Sequence, residues 1–170
     1  MTIAGMKKQA QTFLPADPRY PAFVERYAFD LARFAFEVCG TTPTSQQVEL
    51  FQHTQKFGCR VSVASGHGTG KTASFAIIAI WHLLCYHNKS GGSNTFITAP
   101  RIATVKDGIW KEFADIKTRI GQGEFSWLND YFEVEHEKVY VKGYKLNWWI
   151  QGKTAPKGSP ENLAGAHRDF

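Results

Sequence analysis

Arg60-Val-Ser-Val-Ala-Ser-Gly-His-Gly-Thr-Gly-Lys-Thr72, followed by the apolar run Phe75-Ala-Ile-Ile-Ala-Ile-Trp-His-Leu-Leu-Cys-Tyr86, decides the reading of the fold. Residues 60–64 alternate, with β-branched Val61 and Val63, which is the pattern of a strand. Residues 65–71 are rich in glycine, and residues 72–86 are apolar nearly all round, as a buried helix is. Strand, glycine-rich loop and buried helix in that order predict an α/β unit with the loop seated on the helix N-terminus.

The loop Ser65-Gly66-His67-Gly68-Thr69-Gly70-Lys71-Thr72 ends in the Gly-Lys-Thr of a Walker A sequence. Glycines let successive backbone N–H groups turn inward around phosphates, and a helix N-terminus adds partial positive charge. On that chemistry the ligand is a nucleoside triphosphate, Lys71 neutralises its β- and γ-phosphates as a catalytic residue, and the Thr72 hydroxyl is the ligand of Mg²⁺. One position departs from the usual pattern. Ser65 stands five places before Gly70, where glycine is usual, and Gly66 follows one place later, so the cradle is expected to differ slightly there. His67 lies within the loop, either reaching toward a γ-phosphate or pointing to solvent.

Upstream, residues 1–20 hold Pro15 and Pro18 without periodicity and read as an arm that is loose or packs on a partner; residues 21–170 read as one partial domain. Val24, Ala28, Leu31, Ala35 and Val38 recur at helical spacing up to a stop at Gly40. A second helix starts at Thr44 or Ser45, places Val48 and Phe51 on one face and ends near Gly58. Downstream, residues 88–94 read as a loop and residues 95–99 as a short buried strand closed by Pro100, completing a βαβ unit with a right-handed crossover. Ile102, Val105, Ile109, Phe113, Ile116 and Ile120 then step along a third helix, with Trp110 beside the stripe. Residues 131–135, 138–141 and 145–151 alternate in short runs and predict a small antiparallel meander, and residues 152–166 a loop. The expected fold is therefore α/β: a P-loop NTPase of the ASCE type, a parallel sheet flanked by helices with a small antiparallel element near the C-terminus.

Composition sets the outer bounds. A chain of 170 residues, 43% hydrophobic and 21% charged, can bury a core and is not of disordered, collagenous or coiled-coil type. The net charge of +5 permits a polyanionic partner without demanding one. Lys138, Lys142, Lys145, Lys153, Lys157 and Arg168 outweigh Glu161 and Asp169 toward the C-terminus, which reads equally as a solvated surface or a phosphate-facing one. Cys39, Cys59 and Cys85 are odd in number and far apart, so they read as reduced core thiols. The longest apolar run, residues 75–86, is too short to span a bilayer.

Val63-Ala64-Ser65-Gly66-His67-Gly68-Thr69-Gly70-Lys71-Thr72 resembles the phosphate-binding region of tailed-phage terminase large subunits. Ile97-Thr98-Ala99-Pro100, Val105-Lys106 and Trp110-Lys111-Glu112 resemble that family's second strand and following helix. Thr42-Pro43-Thr44-Ser45-Gln46-Gln47 resembles its adenine-recognising segment, with Gln47 the better match; a carboxamide donates and accepts at once, as an adenine edge requires. The resemblance covers about residues 40–170. Asn162-Leu163-Ala164-Gly165-Ala166-His167 resembles the lead-in to the strand that carries the Mg²⁺-binding aspartate and catalytic glutamate, a strand expected beyond Phe170. Arg168 resembles in position an arginine finger, the second catalytic residue expected here, and Arg101 is a weaker candidate.

The resemblance implies the ATP-binding part of a viral DNA-packaging motor that translocates double-stranded DNA in the host cytoplasm. It implies as partners a portal protein, a small terminase subunit, copies of the chain in a ring, and a C-terminal remainder with a nuclease domain that full hydrolysis requires. Two other readings stay open: a nucleotide-binding assembly module that does not hydrolyse by itself, and another nucleic-acid ATPase such as a helicase.

Overall fold

The computed structural model describes residues 12–88, 91–99, 103 and 105–154. Its described helices are α1 (Tyr20–Tyr27), α2 (Leu31–Glu37), α3 (Ser45–Thr54), α4 (Lys71–Cys85) and α5 (Lys111–Gln122). The strands are β1 (His87–Asn88), β2 (Gly91–Gly92), β3 (Asn94–Ala99), β4 (Phe132–Val134), β5 (Lys138–Val141) and β6 (Trp149–Thr154). The main sheet has the order β3-β6-β5-β4, with β3 parallel to β6 and the other pairs antiparallel. β1 and β2 form a two-residue antiparallel bridge within the segment expected to be a plain loop.

Helix α4 is the central post, because its apolar sequence leaves nearly every face to be covered. Ala76, Ile77, Ala79, Ile80, Leu83 and Leu84 are all buried. Three buried polar tips fasten it: Trp81 Nε1 donates to the Tyr27 carbonyl at 2.8 Å, Tyr20 Oη to the Leu84 carbonyl at 2.9 Å, and Trp148 Nε1 to the Leu83 carbonyl at 2.7 Å. Each aromatic thus buries a large apolar body and satisfies its one donor, the condition for burying a Trp or Tyr without penalty. All three bonds fall on residues 81–84, in the C-terminal half of α4.

Several expectations are corrected. The helix expected after Pro21 is two helices, because the Asp30 side chain accepts from the Arg33 N–H and so caps a new start. Gly40, at φ 62°, does mark the stop. Residues 12–20 are not a loose arm: Leu14 is fully buried, and Asp17 bonds to Tyr131 Oη at 2.7 Å. Residues 60–64 join no ladder, and Val61 and Val63 are exposed. The expected βαβ pairing is accordingly not formed by these segments; the parallel partner of β3 is β6. The antiparallel meander is present, but it is one sheet with β3 and not a separate element. β3 itself is half-buried rather than buried.

The third helix begins as a π-helical turn over Val105–Trp110 and runs on as α5, burying Ile109, Phe113, Ile116 and Ile120. Pro100, Arg101 and Ile102 lie outside the described residues, as do residues 155–170 with Lys157 and Arg168. Of the cysteines, Cys39 and Cys85 are buried, and burial pushes both thiols well above their ordinary pKa; Cys59 is exposed, contrary to expectation. No helix among the described residues is long and apolar enough to cross a membrane.

Candidate nucleotide-binding site

The glycine-rich loop enters α4 through Gly70, which is left-handed at φ 74°, a conformation costly for any residue with a Cβ. Gly68 is also left-handed, at φ 75°. Gly70 caps α4 without a side chain, and the first turn contains no acidic residue. The initial N–H groups of a fifteen-residue helix thus have neither a capping oxygen nor a competing carboxylate, and the helix dipole favours an anion there.

Lys71 folds back along the loop. Its Nζ donates to the Ser65 and Gly66 carbonyls, both at 2.6 Å. An ammonium group has three donors, so one N–H remains for an anion in the loop. Thr69 Oγ1 donates to the Gly66 carbonyl at 3.1 Å and lies 2.9 Å from Ser65 Oγ. Ser65, the departure from the usual pattern, is therefore part of the fastening that draws the start of the loop onto its end. His67 and Thr72 are both exposed.

Beside the loop is a cleft of about 350 Å³ between α3 and residues 61–65, lined among others by Gln46, Leu50, His53, Val63, Thr69 and Lys71. Thr44 caps α3 by accepting from the Gln47 N–H, and the Gln47 side chain returns the bond to the Thr44 N–H, a reciprocal capping box. The other end of the Gln47 carboxamide donates to Ser74 Oγ at 2.9 Å. The sequence-expected residues Gln47, Ser65, Gly66, Gly68, Thr69, Gly70 and Lys71 are thus brought to one place, where two helices meet. Ser74, buried beneath the loop, is a site residue that sequence reading missed; nothing in a lone serine on an apolar helix distinguishes it.

A larger groove of about 740 Å³ lies elsewhere, lined by Phe57, Phe75, Ile78, His82, Phe96 and Ile97 among others. It contains none of residues 65–72 and is mainly apolar. Among the described residues, the basic side chains toward the C-terminus are engaged within the fold. Lys142 and Lys145 pair with Glu133 and Glu135 at 3.0 and 2.6 Å, and Lys138 and Lys153 stand over the Trp149 and Phe96 rings.

The chain is 35% identical over 153 residues to a probable terminase large subunit of Enterobacteria phage P7, a match that takes in 90% of the chain. The chain is a homologue of part of a terminase large subunit. It spans about 30% of the length of that terminase relative. No family model matches it, and no solved structure does. The terminase resemblance read from residues 40–170 is therefore supported over nearly the whole chain.

Proposed function

We propose that the chain is the ATP-binding part of a terminase large subunit and has the P-loop NTPase fold of a viral DNA-packaging motor. The observation that carries this is the loop: left-handed Gly68 and Gly70, the Lys71 ammonium drawn over the Ser65 and Gly66 carbonyls with one donor to spare, and the uncapped start of α4. These residues fit a nucleoside triphosphate with its Mg²⁺. The loop N–H groups and Lys71 take the phosphate oxygens, Thr72 supplies a hydroxyl to the metal, and His67 and Thr69 flank the phosphates. ATP, when bound, supplies the phosphoryl group whose transfer to water drives the motor.

Hydrolysis also needs carboxylates to help hold the metal and to orient water. Among the described residues, no group of three or more His, Cys, Asp or Glu side chains is placed to hold a metal. Residues 60–64 have no ladder partner among the described residues, which supports a site completed by further polypeptide. In this reading the C-terminal remainder of the large subunit supplies those groups, Arg168 serves a neighbouring subunit of a ring, and duplex DNA, the portal protein and the small terminase subunit are the partners in the host cytoplasm.

The test is ATP turnover with Mg²⁺ by this chain alone and mixed with the C-terminal remainder of the same large subunit, with Lys71→Ala as control. Turnover that arises in the mixture and is lost in the variant is the expected result. Strong Lys71-dependent turnover by the chain alone overturns the need for completion, and turnover indifferent to Lys71 overturns the site.

A further inference from the structure

Gln47 is the residue that the resemblance assigns to the base, and in the fold its carboxamide bonds to the protein through both its oxygen and its nitrogen. Oε1 accepts from the Thr44 N–H at 2.9 Å, and Nε2 donates to Ser74 Oγ at 2.9 Å. Ser74 Oγ donates in turn to the Gly70 carbonyl at 2.9 Å. The amide orientation follows from this chain of bonds: the Thr44 N–H needs an acceptor, and a Ser74 hydroxyl that gives its proton to Gly70 must accept from Gln47. The contact is also steric. A Cβ built on Gly70 would lie 2.9 Å from Gln47 Nε2, so the carboxamide lies directly against the left-handed residue that opens α4.

We infer that Gln47 is a positioning residue that fixes the phosphate end of the cleft. The inference rests on the nucleotide-binding reading above. A run of three hydrogen bonds, Thr44 to Gln47 to Ser74 to Gly70, joins the N-terminus of α3 to the last residue of the loop before Lys71. It holds Gly70 in the conformation that aims the first N–H groups of α4 and the Lys71 stem. Gln47 uses one acceptor site of its oxygen and one of its two N–H donors on that run. Ser74 is buried beneath the loop, so it acts on a ligand only through Gly70.

The experiment compares two probes that share phosphates and differ in the base: Mg²⁺-ATP and inorganic tripolyphosphate, each titrated into this chain by calorimetry. Gln47→Leu keeps the side-chain bulk and removes the bond to Ser74. It is expected to weaken both probes by the same factor, about 2- to 10-fold, the worth of one neutral hydrogen bond. Ser74→Ala is expected to give the same factor, and the double variant little more, because the two residues act in one run. Asp30→Ala controls for stability alone: it removes the side-chain cap of α2, touches no member of the run, and is expected to lower the Tm without changing either affinity.

Loss of ATP affinity with tripolyphosphate binding intact would make Gln47 a base reader and overturn the inference. So would an unchanged affinity for both probes, or a fall in Asp30→Ala equal to that in Gln47→Leu. If the wild-type chain binds neither probe, the nucleotide reading itself fails and the inference falls with it.

Discussion

Replacing Gly70 by alanine perturbs the loop at its tightest point. The backbone there is left-handed, which costs a residue with a Cβ about 1–2 kcal/mol, and the added Cβ would sit 2.9 Å from Gln47 Nε2. Displacing Gln47 breaks its bond to Ser74, worth about 0.5–1.5 kcal/mol more. Because residues 65–70 are exposed and α4 is fastened at Tyr20, Trp81 and Trp148, the strain relaxes by deforming the loop and not by unfolding the protein. The cost of about 1.5–3.5 kcal/mol therefore falls on ligand affinity, a loss of about 10- to 400-fold for Mg²⁺-ATP, with little change in Tm. Gly68→Ala carries the same backbone cost with open space around its Cβ, and about 5- to 30-fold is expected. Gly66 is not left-handed and has nothing within 4 Å of a built Cβ, so Gly66→Ala is expected to stay within about threefold. Titration calorimetry of the three variants gives the series directly. A Gly70→Ala chain that binds as tightly as wild type, or a Gly66→Ala chain that binds as poorly as Gly70→Ala, refutes the reasoning.

Two further outcomes concern the scaffold. A Cβ on Gly92 would meet the fully buried Trp148 ring at 2.1 Å, so Gly92→Ala is expected to destabilise by about 2–3 kcal/mol, a fall of about 5–10 °C in Tm by calorimetry; an unchanged Tm contradicts that packing. The Arg19 guanidinium beside Asp17, with help from Tyr131 Oη and against the effect of burial, holds the Asp17 carboxyl well below the usual carboxylate range. The folded state thus binds this proton less readily than the unfolded chain, and the stabilisation is present above about pH 4 and is lost as pH falls toward the lowered folded value. Asp17→Asn is expected to lower the Tm at neutral pH by an amount that shrinks below about pH 4; a gap that stays constant into acid contradicts this.

What the sequence disclosed follows from how local each signal is. Helix α4 was legible because its apolar run and its Gly-Lys start act within a few residues, and the start of α3 at Thr44 is a cap whose partner is three positions on. The break between α1 and α2 was open to the same reasoning through Asp30, but the apolar repeat from Val24 to Val38 runs straight across it. Residues 60–64 have the alternation of a strand, yet alternation describes one chain, and pairing depends on a partner distant in sequence. For the same reason nothing foretold that Asn94–Ala99 would run parallel to Trp149–Thr154. The glycines and Lys71 were expected from chemistry alone. The Gln47–Ser74 bond, which spans 27 residues and joins two helices, belongs to tertiary structure and could be seen only there.

The central claim, that residues 65–72 form a phosphate-binding loop built around Lys71, is tested most directly by titrating Mg²⁺-ATP into the wild-type chain and into Lys71→Ala under identical conditions. The account predicts saturable binding by the wild type that is lost in the variant, with the fold and Tm essentially retained because Lys71 bonds only to the exposed Ser65 and Gly66 carbonyls. Equal binding by the two chains would contradict it.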